Sequence, residues 1–385
     1  MSDARSSWRR ALEVGAVFVR LGATAFGGPA AHIAIMRHEL IERRKWLEEE
    51  HFLDLLGATN LIPGPNSSEM TMHIGYLRAG LLGLIAGGIG FLLPAMLMVL
   101  GLAWAYEEYG TTPAVEWLLY GVKPVIIPLI VLALWKLGQK AVKDRLTAVV
   151  GVAALVLYFA GLNFVLLLVG GGVLVMVLRN ALHAKHWLGA VLPAPLAGLP
   201  LTAAAGTVSA SASLLTIFWV FLKIGALMYG SGYVLFAFLQ ADVVENYGWL
   251  TEQQLIDAIA VGQMTPGPLS TSATFIGYLI AGVPGAIIAT GALYLPAFVV
   301  VLISNPIVPR IRNSSWASSL LDGVNVAALG LMAAVTWELG GEALIDVFTV
   351  VTALLAVLLL LRWQVSSMWL VVLGAGMGLL HAALF

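Results

Sequence analysis

The stretch Ile62-Pro63-Gly64-Pro65-Asn66-Ser67-Ser68 returns 203 positions later as Thr265-Pro266-Gly267-Pro268-Leu269-Ser270-Thr271. Proline cannot donate a backbone hydrogen bond and restricts the residue before it, so each Pro-Gly-Pro should stop a helix. The pieces on either side of each copy are shorter than the roughly 20 residues that a spanning helix needs. We therefore predict two re-entrant helical hairpins, built from Glu49–Ile62 with Asn66–Gly80 and from Gln254–Met264 with Leu269–Leu279.

The same internal repeat extends along the whole chain. Phe18–Ala23 matches Phe221–Ala226, and Trp46-Leu47 matches Trp249-Leu250. These matches share one register, which argues against chance similarity between apolar strings. We predict two repeats, residues 1–180 and 213–385, joined by a linker at residues 181–212.

Composition places the chain in a membrane. Of its 385 residues 60% are hydrophobic and 11% are charged, with net charge -1 and mean hydropathy +0.94. Soluble proteins carry about 25% charged residues, and a nucleic-acid-binding protein would need a basic face. We predict an all-α polytopic membrane protein. Spanning helices are expected at Leu81–Tyr106, Ala114–Leu137, Ser213–Gln240 and Ala281–Pro306, with two-helix hairpins at Leu146–Leu178 and Val347–Leu384.

Several chemical classes are absent from the sequence. Zero cysteines exclude disulfides, thiol catalysis and thiolate metal sites. The sequence contains no HExxH, Walker A or GxSxG pattern, so we expect no metal, no cofactor and no enzymatic activity. Without a nucleotide-binding motif, any transport should be secondary rather than directly driven by ATP.

The loop charges of the two repeats have opposite signs. Bases cluster at residues 37–45 and 136–145 of the first repeat, whereas the matching residues 240–248 and 338–346 of the second carry acids and no base. Because Lys and Arg favour the cytoplasmic side, the repeats should cross the membrane in opposite directions. We thus predict two inverted-topology repeats, each with broken helix hairpins followed by spanning helices, as in secondary transporters.

The path of each repeat's first segment stays open. Leu12–Phe26 recurs inside the chain, so we expect it to be retained rather than cleaved as a signal peptide. If it forms another re-entrant hairpin with Ala30–Ile41, the linker must cross the membrane. If each first segment crosses once, the linker does not cross.

The broken helices predict a cavity for a small anion. Non-helical backbone at membrane depth is tolerated where it lines a cavity, and a helix start presents free N–H groups and a positive dipole end. A second break, at Gly27-Gly28-Pro29, corresponds to Gly230-Ser231-Gly232. The alternative is that Pro-Gly-Pro merely kinks a spanning helix. The predicted oxyanion-binding residues of these breaks are Gly27, Gly28, Pro63, Gly64, Pro65, Asn66, Ser67, Ser68, Pro266, Gly267, Pro268, Ser270 and Thr271.

Two further pairs of residues are charged or titratable within apolar surroundings. Arg20 and Lys223 occupy equivalent positions; they could hold a dianion from two sides, pair with carboxylates, or snorkel to an interface. Glu69 and His73 share one helix face and could carry protons, or simply hydrogen-bond to each other.

Lys123 and the matching pair Asp54 and Asp257 complete the candidate site residues. Lys123 is equally compatible with a cavity donor and with a lipid-headgroup anchor. Asp54 and Asp257 could receive Arg20 and Lys223 as ion partners, or serve as structural caps.

At Phe26–Pro29, Pro63–Asn66 and Pro266–Pro268 the sequence resembles the chromate ion transporter family, in its long bidomain type. The likeness covers roughly residues 10–180 and 213–383. It implies halves that arose by duplication and lie antiparallel in the bacterial inner membrane. The second copy departs from the family pattern at Gly230-Ser231-Gly232, where Gly-Gly-Pro is lost.

The resemblance implies export of chromate, driven by the membrane potential or the proton gradient, giving chromate resistance. Chromate is a tetrahedral dianion close to sulfate in shape, which agrees with the anion cavity. A transporter of sulfate or another oxyanion and a passive anion channel of the same architecture remain as alternatives. The expected partners are chromate, with sulfate as the first competitor, protons as a coupling ion, and the lipid bilayer; nucleic acid is not expected, and a homodimer stays an open option.

Overall fold

A computed structural model describes residues 2–59, 62, 64–181, 212–228, 232–304 and 314–384. Its regular elements in those ranges are all helical, and five of the helices are long and apolar enough to cross a membrane. The prediction of an all-α polytopic membrane protein is therefore confirmed. Most of the linker, residues 182–211, lies outside the described residues, and so do Pro63, Gly230 and Ser231.

The first half consists of seven helices. A π-helical turn, His38–Arg43, follows the second of them directly. The helices are α1 (Ser2–Thr24), α2 (Gly28–Arg37), α3 (Glu49–Thr59), α4 (Asn66–Tyr109), α5 (Pro113–Ala141), α6 (Arg145–Phe159) and α7 (Phe164–Ala181).

The second half repeats this order of elements. It differs by a 3₁₀ turn, Leu269–Thr271, between its third and fourth helices, and its second helix again runs into a π-helical turn, Gln240–Asn246. The helices are α8 (Leu214–Leu227), α9 (Val234–Leu239), α10 (Glu252–Met264), α11 (Ser272–Ser304), α12 (Ser315–Ala343), α13 (Val347–Trp363) and α14 (Ser367–Leu384).

Helices α4 and α11 are each a tight hairpin with two arms. The first reverses at Ala79-Gly80, where Gly80 has φ 61°, and the second at Ala281-Gly282, where Gly282 also has φ 61°. Glycine adopts this left-handed conformation without steric cost. The arms touch through backbone: a Cβ added to Gly75 would lie 2.1 Å from the carbonyl oxygen of Gly83. In each half a short arm therefore follows the Pro-Gly-Pro loop and turns directly into a long arm, whereas the predicted hairpins paired this short arm with the helix before the loop.

The last two helices of each half pack against the other half. Helix α7 lies along α12, and α14 lies along α5. These crossings depend on glycine: a Cβ on Gly121 would lie 2.1 Å from the carbonyl oxygen of Gly374, and one on Gly323 would lie 2.4 Å from that of Gly171. Small residues at such crossings let helix backbones approach closely, as in other membrane bundles.

Helices α5 and α12, which are equivalent in the repeat, run antiparallel. The residue Lys143, just after α5, binds Asp322 near the start of α12, whereas Gln253 links Lys123 near the start of α5 to Glu342 at the end of α12. This arrangement supports the predicted inversion of the repeats, whose orientation in a membrane stays a prediction.

The ionic side chains separate into two ends of the bundle. One end, the basic face, carries Arg44, Arg78, Lys143 and Arg179, and it holds the ion pairs of Arg179 with Asp144 and Asp322. The other end, the acidic face, carries Glu245, Glu338, Glu342 and Asp346, which meet the hydroxyls of Tyr158 and Tyr120 or the amide of Gln253.

One predicted spanning helix is wrong. Residues 213–240 do not form one helix, because α8 ends at Leu227 and α9 begins only at Val234. The interruption contains Gly232, in the break that matches Gly27-Gly28-Pro29 of the first half. The predicted helical pairs at 146–178 and 347–384 agree with α6–α7 and α13–α14, whose turns fall near Gly161 and Gln364.

Candidate functional site

The two Pro-Gly-Pro loops cross between the halves. The amide of Gly64 donates to the carbonyl oxygen of Met228 at 2.6 Å, and the amide of Gly267 donates to that of Ala25 at 2.9 Å. Each glycine has positive φ, and a Cβ on either would collide with its surroundings, 2.7 Å from Ala95 in the case of Gly267. Each loop therefore requires glycine both for its backbone conformation and for lack of space. Each loop is also hydrogen-bonded to the end of the first helix of the opposite half.

The helix starts after these loops meet at Tyr294. Helix α4 begins at Asn66 after the extended residue Pro65, and the 3₁₀ turn begins at Leu269 after the extended residue Pro268. The hydroxyl of Tyr294, on α11, hydrogen-bonds Ser270 at 2.5 Å and lies beside Ser68. Polar residues of both starts are buried: Asn66, Ser67, Ser68, Ser270 and Thr271.

The other two breaks reach the same centre. Gly27 and Gly28 have positive φ, which frees the chain to turn between α1 and α2. A Cβ on Gly28 would lie 3.8 Å from the hydroxyl of Tyr233, and one on Gly232 would lie 4.0 Å from the amide nitrogen of Ser270. The structure thus brings together the described parts of all four predicted breaks, and we call this region the central site.

Glu69 is an ionisable residue of the central site. Its side chain is fully buried, and neither carboxylate oxygen has a hydrogen-bond partner among the described residues. The carboxylate folds back over the first loop, so that a Cβ on Gly64 would lie 2.2 Å from its Oε1. His73, one turn further along α4, is also buried. An ionisable side chain at membrane depth is costly and usually functional.

Arg20 and Lys223 are held in matching ion pairs. Arg20 binds Glu39 at 2.6 Å, and Lys223 binds Asp242 at 2.6 Å. Both carboxylates belong to the π-helical turns and are nearly buried, whereas the two cations are about half exposed. Of the predicted alternatives, pairing with carboxylates is what the structure shows.

The Glu39 pair carries two additional arginines. Burial opposes ionisation of Glu39, but hydrogen bonds from Arg44, Arg20 and Arg43 outweigh it and lower the pKa of its carboxyl to about 2. Asp242 has no second cation among the described residues and receives the amide of Asn246 instead. Glu39 would therefore keep two arginines without Arg20, whereas Asp242 would keep no cation of the described residues without Lys223.

Asp257 and Lys123 form a link between the halves. Lys123, on α5, lies 3.3 Å from Asp257 on α10 and donates to Gln253, while Tyr106 donates to Asp257 at 2.9 Å. The prediction that Asp257 receives Lys223 is wrong, because Lys223 is turned to Asp242. Asp54 is exposed, and the ion partner of Arg20 is Glu39 rather than Asp54.

Some residues of the site were not predicted. Glu39 and Asp242 are both acidic at matching repeat positions, so the internal alignment contained a signal for them. Tyr294 and Tyr233 had none, since their repeat mates are Leu92 and Ala30. Pro63, which was predicted to bind substrate, lies outside the described residues.

Broken helices that bring polar helix starts from two repeats to a buried centre are typical of secondary transporters. The fold and the central site thus define a multi-pass membrane protein of the transporter class. A family model described as chromate transporter matches residues 12–176 and 215–379, which include both hairpins. The chain belongs to the chromate transporter family.

Individual relatives agree with this assignment. The chain is 35% identical over 358 residues to a probable chromate transport protein of Synechococcus elongatus, covering 91% of this chain and 89% of the relative. It is 34% identical over 372 residues to a chromate transport protein of Cupriavidus metallidurans, covering 94% and 90%. It is 32% identical over 332 residues to one of Pseudomonas aeruginosa, covering 84% and 79%. No solved structure matches the chain.

Proposed function

We propose that the protein is a secondary active transporter that exports chromate across the bacterial inner membrane and so gives chromate resistance. The observation that carries the proposal is the meeting of two polar helix starts at Tyr294 in a chain of this family. The direction, export, is what the family resemblance implies. The basic face is placed on the cytoplasmic side because Lys and Arg favour that side of a membrane.

The central site supplies donors suited to a tetrahedral oxyanion. Hydroxyls of Ser68, Ser270 and Tyr294 lie at the starts of helical segments, where free backbone N–H groups favour negative charge. The halves contribute from opposite sides, so a dianion would be held by both. Moving one half against the other would then open the site to either end, as in other inverted-repeat transporters.

We assign proton coupling to Glu69 and His73. A bound dianion next to an ionised Glu69 would bring like charges together in a buried site. A proton on Glu69 removes this repulsion and adds a donor. Protonation of Glu69 and binding of the oxyanion would therefore favour each other.

Flux measurements in proteoliposomes test the proposal. The purified full chain is reconstituted, and movement of labelled chromate is followed under an imposed membrane potential, an imposed pH gradient, and neither. We expect uphill movement under at least one gradient. Movement only down the chromate gradient would show a passive channel, and absence of movement under all conditions would contradict transport of chromate.

Two further arms address selectivity and the site. If the site recognises only tetrahedral shape and charge, unlabelled sulfate in excess should compete with chromate and reduce its flux. An unchanged chromate flux would show that the site does not bind sulfate. The double variant Ser68→Ala with Ser270→Ala should lower flux more than tenfold. The matched control is Thr336→Ala, a buried hydroxyl that bonds its own helix on α12, and it should retain flux.

A further inference from the structure

A pocket opens at the basic face, away from the central site. It has a volume of about 460 Å³ and lies between the start of α1, the start of α3 and the end of the first arm of α4. Its size falls in the usual range of small-molecule sites. The pocket is lined by Arg10, Trp46, Leu47, Glu48, His51, Ile74, Leu77 and Arg78.

One wall of the pocket is polar and mainly basic. It consists of Arg10, His51 and Arg78, together with one carboxylate, Glu48. The guanidinium of Arg78 lies over the ring of Trp46, 5.2 Å from its centroid, and one of its Nη atoms reaches Glu13 at 3.3 Å. Its Nε is buried and has no hydrogen-bond partner among the described residues. Arg78 is thus held in a fixed orientation while its side chain stays 36% exposed, which suits contact between the guanidinium and an oxyanion.

The opposite wall is apolar and continues onto the outside of the bundle. Ile74 and Leu77 line the pocket, and the exposed Leu77 is followed after the turn by the exposed Leu81 and Leu82. In a membrane these side chains face acyl chains. Basic residues next to Trp at the end of a helix are typical of the headgroup region.

The pocket belongs to the first half alone. At the matching positions of the second half, Ser213, Gln254 and Ile280 replace Arg10, His51 and Arg78. Trp249 replaces Trp46 but stacks on Tyr247, with ring centroids 4.5 Å apart. The cations are therefore a property of one end of the bundle, where Arg44 and Lys143 also lie.

We propose that this pocket binds the phosphate group of an anionic phospholipid from the leaflet at the basic face. The phosphate lies between Arg10 and Arg78, and an acyl chain follows the exposed Leu77 and the outer surface of α4. A free oxyanion could contact the same guanidinium groups but would leave the apolar wall uncovered.

Native mass spectrometry of the full chain tests this proposal. The protein in detergent is incubated with equimolar phosphatidylglycerol and phosphatidylcholine, with inorganic phosphate as a separate probe. We expect retention of phosphatidylglycerol and its loss, by roughly 30-fold in affinity, in the double variant Arg10→Gln with Arg78→Gln. The control Lys136→Gln with Lys140→Gln removes the same number of positive charges from exposed positions near the end of α5. It should bind phosphatidylglycerol as the unchanged protein does.

Each other outcome overturns the proposal. Equal retention of phosphatidylcholine would remove the role of headgroup charge. Displacement of phosphatidylglycerol by millimolar inorganic phosphate would assign the pocket to a free oxyanion. If the double variant unfolds, the single variant Arg10→Gln, at an exposed position, replaces it and should weaken binding about 5-fold; unchanged binding would contradict the site. Flux plays no part in these readouts, so they stand apart from the proposed transport.

Discussion

The two Pro-Gly-Pro hairpins share a backbone but not a chemistry. Their reversals have nearly the same dihedral angles, φ -145° and ψ 23° at Ala79 against φ -149° and ψ 31° at Ala281. Glu69, however, has a fully buried carboxylate with no partner in the described chain, while its mate Ser272 donates to the carbonyl oxygen of Leu269. Small residues and prolines thus keep the shape in both copies, whereas a buried carboxyl group stands at this position in the first copy only.

The largest expected effect comes from the shared backbone. Gly75→Ala and Gly277→Ala should each prevent the arms of a hairpin from closing, because the new Cβ would lie 2.1 Å and 2.4 Å from the carbonyl oxygens of Gly83 and Gly285. Backbone cannot move aside as a side chain can, so we expect a cost of about 3 kcal/mol or more. Size-exclusion profiles and melting temperatures in detergent would show the loss in both variants.

The controls for this prediction are Gly101→Ala and Gly291→Ala. An added Cβ at either position meets nothing within 4 Å. Since Ala favours helix over Gly, both should be neutral or stabilised by about 0.5–1 kcal/mol. If Gly75→Ala behaved like these controls, the close contact between the arms would be contradicted.

The next effect separates the two hairpins. Glu69→Gln keeps the shape of the side chain but can neither ionise nor release a proton. Wild-type chromate flux should change with pH by up to about tenfold per unit, and the variant should be nearly independent of pH. Flux assays between pH 6 and 8 would test this, with Ser272→Ala as the matched change in the other hairpin. A Glu69→Gln variant with unchanged pH dependence would remove Glu69 from coupling.

The matching ion pairs should differ more modestly. Lys223→Ala leaves the nearly buried Asp242 with Asn246 as its remaining partner among the described residues, whereas Arg20→Ala leaves Glu39 with Arg43 and Arg44. We expect a loss of about 2 kcal/mol for Lys223→Ala, below that of a fully buried pair because the lysine is partly exposed, and under about 1 kcal/mol for Arg20→Ala. Thermal unfolding would measure both.

Chromate resistance gives a second readout for these variants. If the two cations clamp the substrate, both variants should lose chromate protection equally while still inserted. Normal resistance of the double variant would reject the clamp.

The Glu39 pair should also make stability depend on pH. Because the pKa of Glu39 is lowered, its contribution to the free energy of unfolding is fully present above its ordinary value of 4.5 and is lost as the pH falls through about 2.

The smallest effects are expected where the halves are equivalent in both shape and chemistry. Asp144 and Asp346 form the same capping box at the starts of α6 and α13, with Thr147 and Thr349 as partners. Substitution of either Asp by Ala should cost about 0.5–2 kcal/mol. The two losses should be similar in thermal unfolding, and a large difference would show that Arg179 at Asp144 or Tyr120 at Asp346 matters more than the cap.

Much of the fold could be read from the sequence because it depends on backbone. The Pro-Gly-Pro sequences, Gly80 and Gly282 interrupt helices whatever surrounds them. They also recur at equivalent positions of the two halves. The span of α5, the long arms of α4 and α11, and the helical pairs α6–α7 and α13–α14 follow from apolar length, whereas α12 was not among the predicted spans. The repeat predicts the interruption before α9, as the break at Gly230-Ser231-Gly232, whereas apolar length alone predicts one helix over residues 213–240. The gap between Leu227 and Val234 agrees with the repeat and not with the length criterion.

The candidate site was only partly predictable. The four breaks could be expected to converge from the repeat alone. Which cation meets which carboxylate could not, because it depends on the π-helical turns that bring Glu39 and Asp242 towards α1 and α8. Tyr294 joins the helix starts from a position without a counterpart, and periodicity does not distinguish it from a core aromatic residue.

The crossed packing has a consequence for assembly. Neither half encloses its own core: α5 is completed by α14, α12 by α7, and each loop glycine donates to a carbonyl of the other half. Two separate polypeptides, ending and beginning within residues 182–211, should therefore each be unstable alone and yet find one another when produced together. The covalent connection then acts chiefly on stoichiometry, because it guarantees one copy of each half and prevents like halves from pairing.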